Sequence, residues 1–173
     1  APVVLMMAPD SPEVSDVLAR SGLETLTSGI ALDPCDDLTY GVIRGESGRI
    51  ESHLFRLSPK PAAALIATIL LVGPLVARLQ GKSQPDRPRT RRAVWAGRQT
   101  ETDDRTRAVP VHLEAGADAR LLASPISYRG IDDLAGFSQA DAIALLPPRS
   151  GPWAGGELID VVPIGQGPGL AGF

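Results

Sequence analysis

The chain holds one cysteine, two histidines and few aromatic side chains, 4% of its residues. Cys35 alone cannot close an internal disulfide, and with His53 and His112 it cannot complete a four-ligand zinc site from Cys and His. Neither sign of charge dominates, since 17 basic against 20 acidic side chains leave a net charge of −3. The one basic cluster, Arg87, Arg89, Arg91, Arg92 and Arg98, reads as a solvated linker and strand edge rather than a nucleic-acid footprint, with an acidic partner patch as the other reading. The longest apolar run, Ala62 to Ala77, falls short of the roughly 20 residues a membrane-spanning helix needs. The N-terminus also lacks the basic region, apolar core and cleavage pattern of a signal peptide. These absences set the expectation of a cytoplasmic protein in a reducing setting, without membrane or nucleic-acid partners.

What is present is a globular composition, 173 residues of which 43% are apolar, enough for one domain or two small ones. The chain is organised around Leu57 to Gly81. A proline-rich turn, Leu57-Ser58-Pro59-Lys60-Pro61, leads into the apolar run, and Gly81 closes it; these are helix start and stop signals. A helix apolar nearly all round must be covered by other elements, so it is expected to lie against a sheet in an α/β layer.

Taken in order, Val3 to Met7 reads as a buried parallel strand. Ser11 reads as the cap of a helix with Pro12 at its first position and Gly22 at its end. Strands are expected over Thr25–Leu32, Leu38–Ile43 and Ile50–Leu57, the last two joined by the turn Gly45-Glu46-Ser47-Gly48. After Gly81 a polar, proline-bearing stretch, residues 82–88, reads as a linker. Beyond it come short strand-like segments, Thr90–Trp95, Thr106–Leu113, Arg120–Pro125, Ala142–Leu146 and Leu158–Pro163, with one helical candidate, Ile131–Gln139. That spacing predicts a small barrel or sandwich. The division is thus 1–81 α/β, 82–88 linker, 89–165 β-domain and 166–173 tail.

Several motifs resemble one family, the molybdopterin molybdenumtransferases of the MoeA type, related to the gephyrin E domain. Tyr128-Arg129-Gly130, the run Leu134-Ala135-Gly136-Phe137-Ser138-Gln139-Ala140-Asp141-Ala142-Ile143-Ala144-Leu145-Leu146-Pro147, and Ala154-Gly155-Gly156-Glu157-Leu158-Ile159-Asp160-Val161-Val162-Pro163 are similar to the family's C-terminal β-domain. In the first half, Leu57-Ser58-Pro59-Lys60-Pro61 stands where the family has L-P-G-N-P, and Pro34-Cys35-Asp36-Asp37 stands where it has P-G-K-P. The resemblance implies a partial molybdopterin-binding α/β layer followed by the C-terminal β-domain of a longer protein. It also implies a homodimer, molybdenum cofactor biosynthesis partners, and a reaction in which adenylylated molybdopterin and molybdate give molybdenum cofactor and AMP with Mg²⁺ assisting.

The departures matter as much. Asp36 stands where a phosphate-binding lysine is implied; at an effective dielectric near 20, a carboxylate about 5 Å from a phosphate charge costs roughly 3 kcal/mol. The glycine-rich loop of the family is reduced to Ala8-Pro9-Asp10-Ser11-Pro12, which removes a backbone nest for anions. Candidate ligand-binding residues are Asp10, Ser11, Asp36, Asp37, Ser58 and Lys60. Lys60, at a helix start, suits an anion, the other reading being a solvated turn lysine. Asp36 and Asp37 suit a phosphate-bridging Mg²⁺ or an Asp-rich turn. Cys35 is a soft molybdenum ligand or a small buried hydrophobe, while Asp103-Asp104 and Asp132-Asp133 read as turns and caps. The functional expectation is a MoeA-like protein with an eroded site; the alternatives are a non-catalytic dimerisation module and a fragment of an active transferase.

Overall fold

The computed structural model describes residues 1–82, 88–116, 119–126 and 133–164. Tyr128-Arg129-Gly130, Ile131, Asp132, Arg87 and the expected tail lie outside the described residues. In chain order the elements are β1 (Val3–Met7), α1 (Pro12–Arg20), β2 (Leu23–Ser28), β3 (Leu32–Asp33), β4 (Thr39–Arg44) and β5 (Ile50–Leu57). Then come α2 (Pro61–Ala67), a π-helical segment (Thr68–Val72), α3 (Gly73–Leu79), β6 (Arg91–Trp95), β7 (Thr106–Ala115), β8 (Leu121–Pro125), α4 (Leu134–Phe137), β9 (Ala142–Leu146) and β10 (Leu158–Pro163). The chain divides into two compact units, Ala1–Ile30 with Cys35–Arg87, and Ala31–Pro34 with Pro88–Phe173.

The first unit carries a mixed sheet ordered β1-β5-β4-β2, in which β1 runs parallel to β5 and the other pairs are antiparallel. α1 starts as its sequence dictates: Ser11 has extended backbone, its hydroxyl accepts the Val14 N–H at 3.4 Å, and Pro12 takes a position needing no donor. It stops at Ser21, where Gly22 turns the chain with φ 77°. The expected burial of Val3 to Met7 needs correction. β1 is an edge strand and α1 buries only Leu18, so Val4 and Leu5 are exposed and Met7 is 57% exposed.

The long helix also differs from its expectation. It runs unbroken over 19 residues, Pro61–Leu79, long and apolar enough to cross a membrane by length and composition alone. Its first part is nevertheless a core helix: Ala62, Ala63, Ala64, Ile66 and Ala67 are buried, followed by Leu70 and Val72. α3 buries no residue fully, with Pro74 to Ala77 half-buried and Arg78 and Leu79 exposed, so the cover expected for the whole length thins along it. Pro74 does not end the helix. Its ring would meet the carbonyl four residues back in a regular α-turn, and the wider π segment, closed by Gly73 N–H to Thr68 O, makes room for it.

The second unit is a closed five-stranded barrel, β7-β8-β6-β10-β9, shut by pairing of β9 back onto β7. β3 lies parallel to the start of β7, Leu32 opposite Thr106 and Asp33 opposite Arg107. The interior is filled by side chains, as a barrel this narrow requires: Ala93, Ala123, Ala142 and Ala144 make room for Trp95, Val111, Leu146, Ile159 and Val161. The Trp95 indole N–H donates to Arg98 O at 3.2 Å. Gly97 is required beside it, because a Cβ there would lie 2.3 Å from the indole ring and 2.9 Å from Pro125. Outside, Arg149 is clasped between the Glu157 carboxylate (Nη2 to Oε1, 2.7 Å) and the face of Trp153, 4.0 Å from the ring centroid.

Candidate functional site

Because β1, β5 and β2 run one way and β4 the other, one end of the first sheet collects three strand C-termini and one strand N-terminus. Ala8 N–H donates to Leu57 O at 3.1 Å across that end. The segments Ala8–Ser11, Asp36–Thr39 and Ser58–Lys60 therefore meet there, at the place where ligands enter sheets built of parallel strands. All six residues singled out in the sequence lie on these three segments.

At their centre is a residue the sequence reading passed over. Arg56, next to last in β5, is 2% exposed. Its Nε and Nη2 donate to Thr39 Oγ1 at 3.3 and 3.0 Å, Nη1 donates to Ala8 O at 3.4 Å, and Nη2 also donates to Asp37 O. The carboxylate within ion-pair distance is Asp10, with Oδ1 3.3 Å from Nη2, and Asp10 is 63% exposed. A buried guanidinium is tolerable only when its charge and its donors are answered; here neutral oxygens answer most of the donors and a solvated carboxylate answers the charge. The available signal was the charge itself, set inside the apolar stretch His53-Leu54-Phe55-Arg56-Leu57.

The candidate residues then separate by role. The Ser11 hydroxyl is engaged in capping α1. Asp10 belongs to the Arg56 ion pair. Asp36 is exposed, its carbonyl accepting from Ile30 N–H at 3.2 Å. Asp37 is half-buried, and its Oδ1 is buried without a hydrogen-bond partner among the described residues. Ser58 is buried, with its Oγ 3.5 Å from the Lys60 backbone N–H. Lys60 is exposed at the cap position of α2, and its side chain makes no cap bond.

The remaining reactive groups serve structure. Cys35 is buried with its thiol donating to Ala63 O at 3.2 Å, which suits a small core residue. His53 is buried, with its Nδ1 2.9 Å from the Tyr40 hydroxyl; burial, and then the charge of the chain's amino terminus, hold its imidazole below the usual range. Burial raises the Tyr40 hydroxyl. In the second unit, His112 Nδ1 is 2.5 Å from Asp141 Oδ2, which also accepts the Leu113 N–H at 2.9 Å. An exposed groove lined by Asp33, Glu101, Thr102, Asp103, Arg105 and Arg107 is internally paired, Arg105 with Asp103 at 3.0 Å and Arg107 with Asp33 at 3.5 Å. Among the described residues no group of three His, Cys, Asp or Glu side chains is placed to hold a metal.

The barrel has a family match: residues 92–164 fit the model of the MoeA C-terminal region, domain IV. Over these residues the chain is MoeA-like. The structure resembles a molybdopterin biosynthesis MoeA protein from Pyrococcus horikoshii with TM-score 0.68 and 25% identity, covering 93% of this chain and 36% of that one. A second MoeA structure from Pyrococcus horikoshii OT3 is similar in fold, with TM-score 0.63 and 16% identity over 89% of this chain and 40% of its own. So is a molybdenum cofactor biosynthesis protein from Pyrococcus furiosus, with TM-score 0.60 and 19% identity over 89% of this chain and 55% of its own. The MoeA-like chain thus spans between about a third and just over half of the structures it matches. No curated protein matches it.

Proposed function

We propose that this chain is a cytoplasmic MoeA-like module of molybdenum cofactor biosynthesis whose strand-end site has lost most of its hold on an anionic pterin. In the family the site serves molybdate insertion into adenylylated molybdopterin; here that chemistry is weak or gone. The fold likeness over 93% of the chain supports reading the first unit as a partial molybdopterin-binding α/β layer. The observation that carries the loss is Asp36, exposed at the strand ends where the resemblance implies a lysine. Mg²⁺ would find Asp37, with one buried carboxylate oxygen unpaired, and Asp36. Two carboxylates leave the rest of its coordination to phosphate oxygens and water.

A second reading, the non-catalytic interaction module, is favoured by the way the site satisfies itself: Ser11 caps a helix and Asp10 answers Arg56. A third, a piece of an active transferase, agrees with the 36% of the longer relative that the chain covers. The test is titration with molybdopterin or a simpler phosphate ligand. Weak binding is expected, with Asp36→Lys strengthening it by about one to two powers of ten and Lys60→Ala abolishing the remainder. Tight binding by the unmodified chain, indifferent to both substitutions, would place the pocket elsewhere.

A further inference from the structure

We propose that Arg56 is an oxyanion-binding residue held shut by Asp10, so that a phosphate-type group binds the guanidinium in the position the Asp10 carboxylate now takes. The inference rests on the reading of this edge as a phosphate-ligand site, and deepens it by naming the group that binds and the one that blocks.

Hydrogen counting carries the argument. Nη2 gives its two hydrogens to Asp37 O and Thr39 Oγ1, so Asp10 Oδ1, 3.3 Å away, is held by charge and not by a hydrogen bond. Nη1 uses one of its two hydrogens on Ala8 O, at the long distance of 3.4 Å, and among the described residues the other has no acceptor. The guanidinium is therefore saturated on one nitrogen and under-used on the next. Asp10 comes within 3.3 Å but accepts neither of the two parallel hydrogen bonds that a guanidinium offers a carboxylate. A tetrahedral oxyanion has the oxygens to reach both nitrogens. Asp10 is also the member of the cluster free to leave, since it is mostly in water and sits on the loop between β1 and α1. Charge fits the same picture: Asp10, Asp36 and Asp37 outnumber Arg56 and Lys60 at the edge, and neutralising Asp10 brings the two signs level.

The experiment is calorimetric titration of the whole chain with inorganic pyrophosphate. Asp10→Asn, a change at an exposed site, is expected to tighten binding about tenfold over the unmodified chain. Asp10→Asn/Arg56→Gln is expected to lose that gain. Where that double variant fails to fold, seen by circular dichroism, Asp10→Asn/Arg56→Lys replaces it, and the loss of the planar fork lowers affinity several-fold against Asp10→Asn. A folded Asp10→Asn variant that binds no tighter, or a gain that Arg56→Lys leaves whole, overturns the proposal. If the unmodified chain binds through Lys60 while Asp10→Asn changes nothing, the strand-end reading stands and Arg56 is excluded. If no variant binds pyrophosphate, both readings fall.

Discussion

Arg56 and Thr39 sit opposite each other on β5 and β4, and the one hydroxyl accepts from two nitrogens of the guanidinium, at 3.0 and 3.3 Å. Both residues are buried, so the hydroxyl does work that water cannot take over. Thr39→Val keeps the shape and removes the acceptor from a buried charge, and should cost about 2–3 kcal/mol. Urea unfolding measures it; an unchanged midpoint would mean the guanidinium is held by its other partners alone.

His53 should make the protein weaker in mild acid. Its imidazole is held below the ordinary value of 6.5 by burial and by the amino terminus, so the unfolded chain takes up a proton that the folded one resists. Stability from this group is whole above the unfolded pKa and falls as pH drops below it. The urea midpoint should decline between pH 7.5 and pH 5.5 in the unmodified chain and decline less in His53→Gln. Equal declines would assign the effect to other groups.

Gly97→Ala should destabilise the barrel by about 1–3 kcal/mol, the usual cost of overpacking. The new methyl would start 2.3 Å from the Trp95 ring, a rigid group that cannot swing aside. Tryptophan fluorescence should register the shift along with the loss of stability. A stable variant with unaltered emission would show that the loop has room to move.

A homodimer joined through the first unit is expected at micromolar concentration. That unit leaves Leu79, Val17 and Met7 exposed, and an apolar surface of this kind is most readily covered by association. Sedimentation should report twice the chain mass, reduced to the single mass by Leu79→Glu. A monomer in the unmodified chain would refute the expectation.

The strands were legible because short apolar runs have ends marked by turn residues. Thr106 to Leu113 is such a run, with Ala108-Val109-Pro110-Val111 at its centre, and Ser11-Pro12 marks the start of α1 without ambiguity. What escaped the reading is what depends on distant partners. β3 is two residues long, too short to show any period, and exists only through β7. Closure of the barrel joins Val109 to Ala144, a pairing no local pattern announces. The composition of β1 predicts burial, yet its exposure follows from edge position. At the site, the acidic and serine residues were found by their types and their proximity to the helix start. Arg56 was missed because its partners arrive from three separate segments.

The π-helical segment acts on the long helix as a change of phase. Each such turn takes in one residue more than an α-turn, which sets everything beyond it back by about 100° around the axis. In an uninterrupted α-helix Leu75 and Leu79 would lie opposite the stripe through Ala63, Ile66, Ala67 and Leu70; the extra residue turns them back toward it. Deleting one residue from Thr68–Val72 would leave the facing of α3 unchanged, but would return Pro74 to an ordinary turn that has no space for its ring. A shortened segment and a replacement of Pro74 must accordingly occur together in any variant of this helix that keeps it straight.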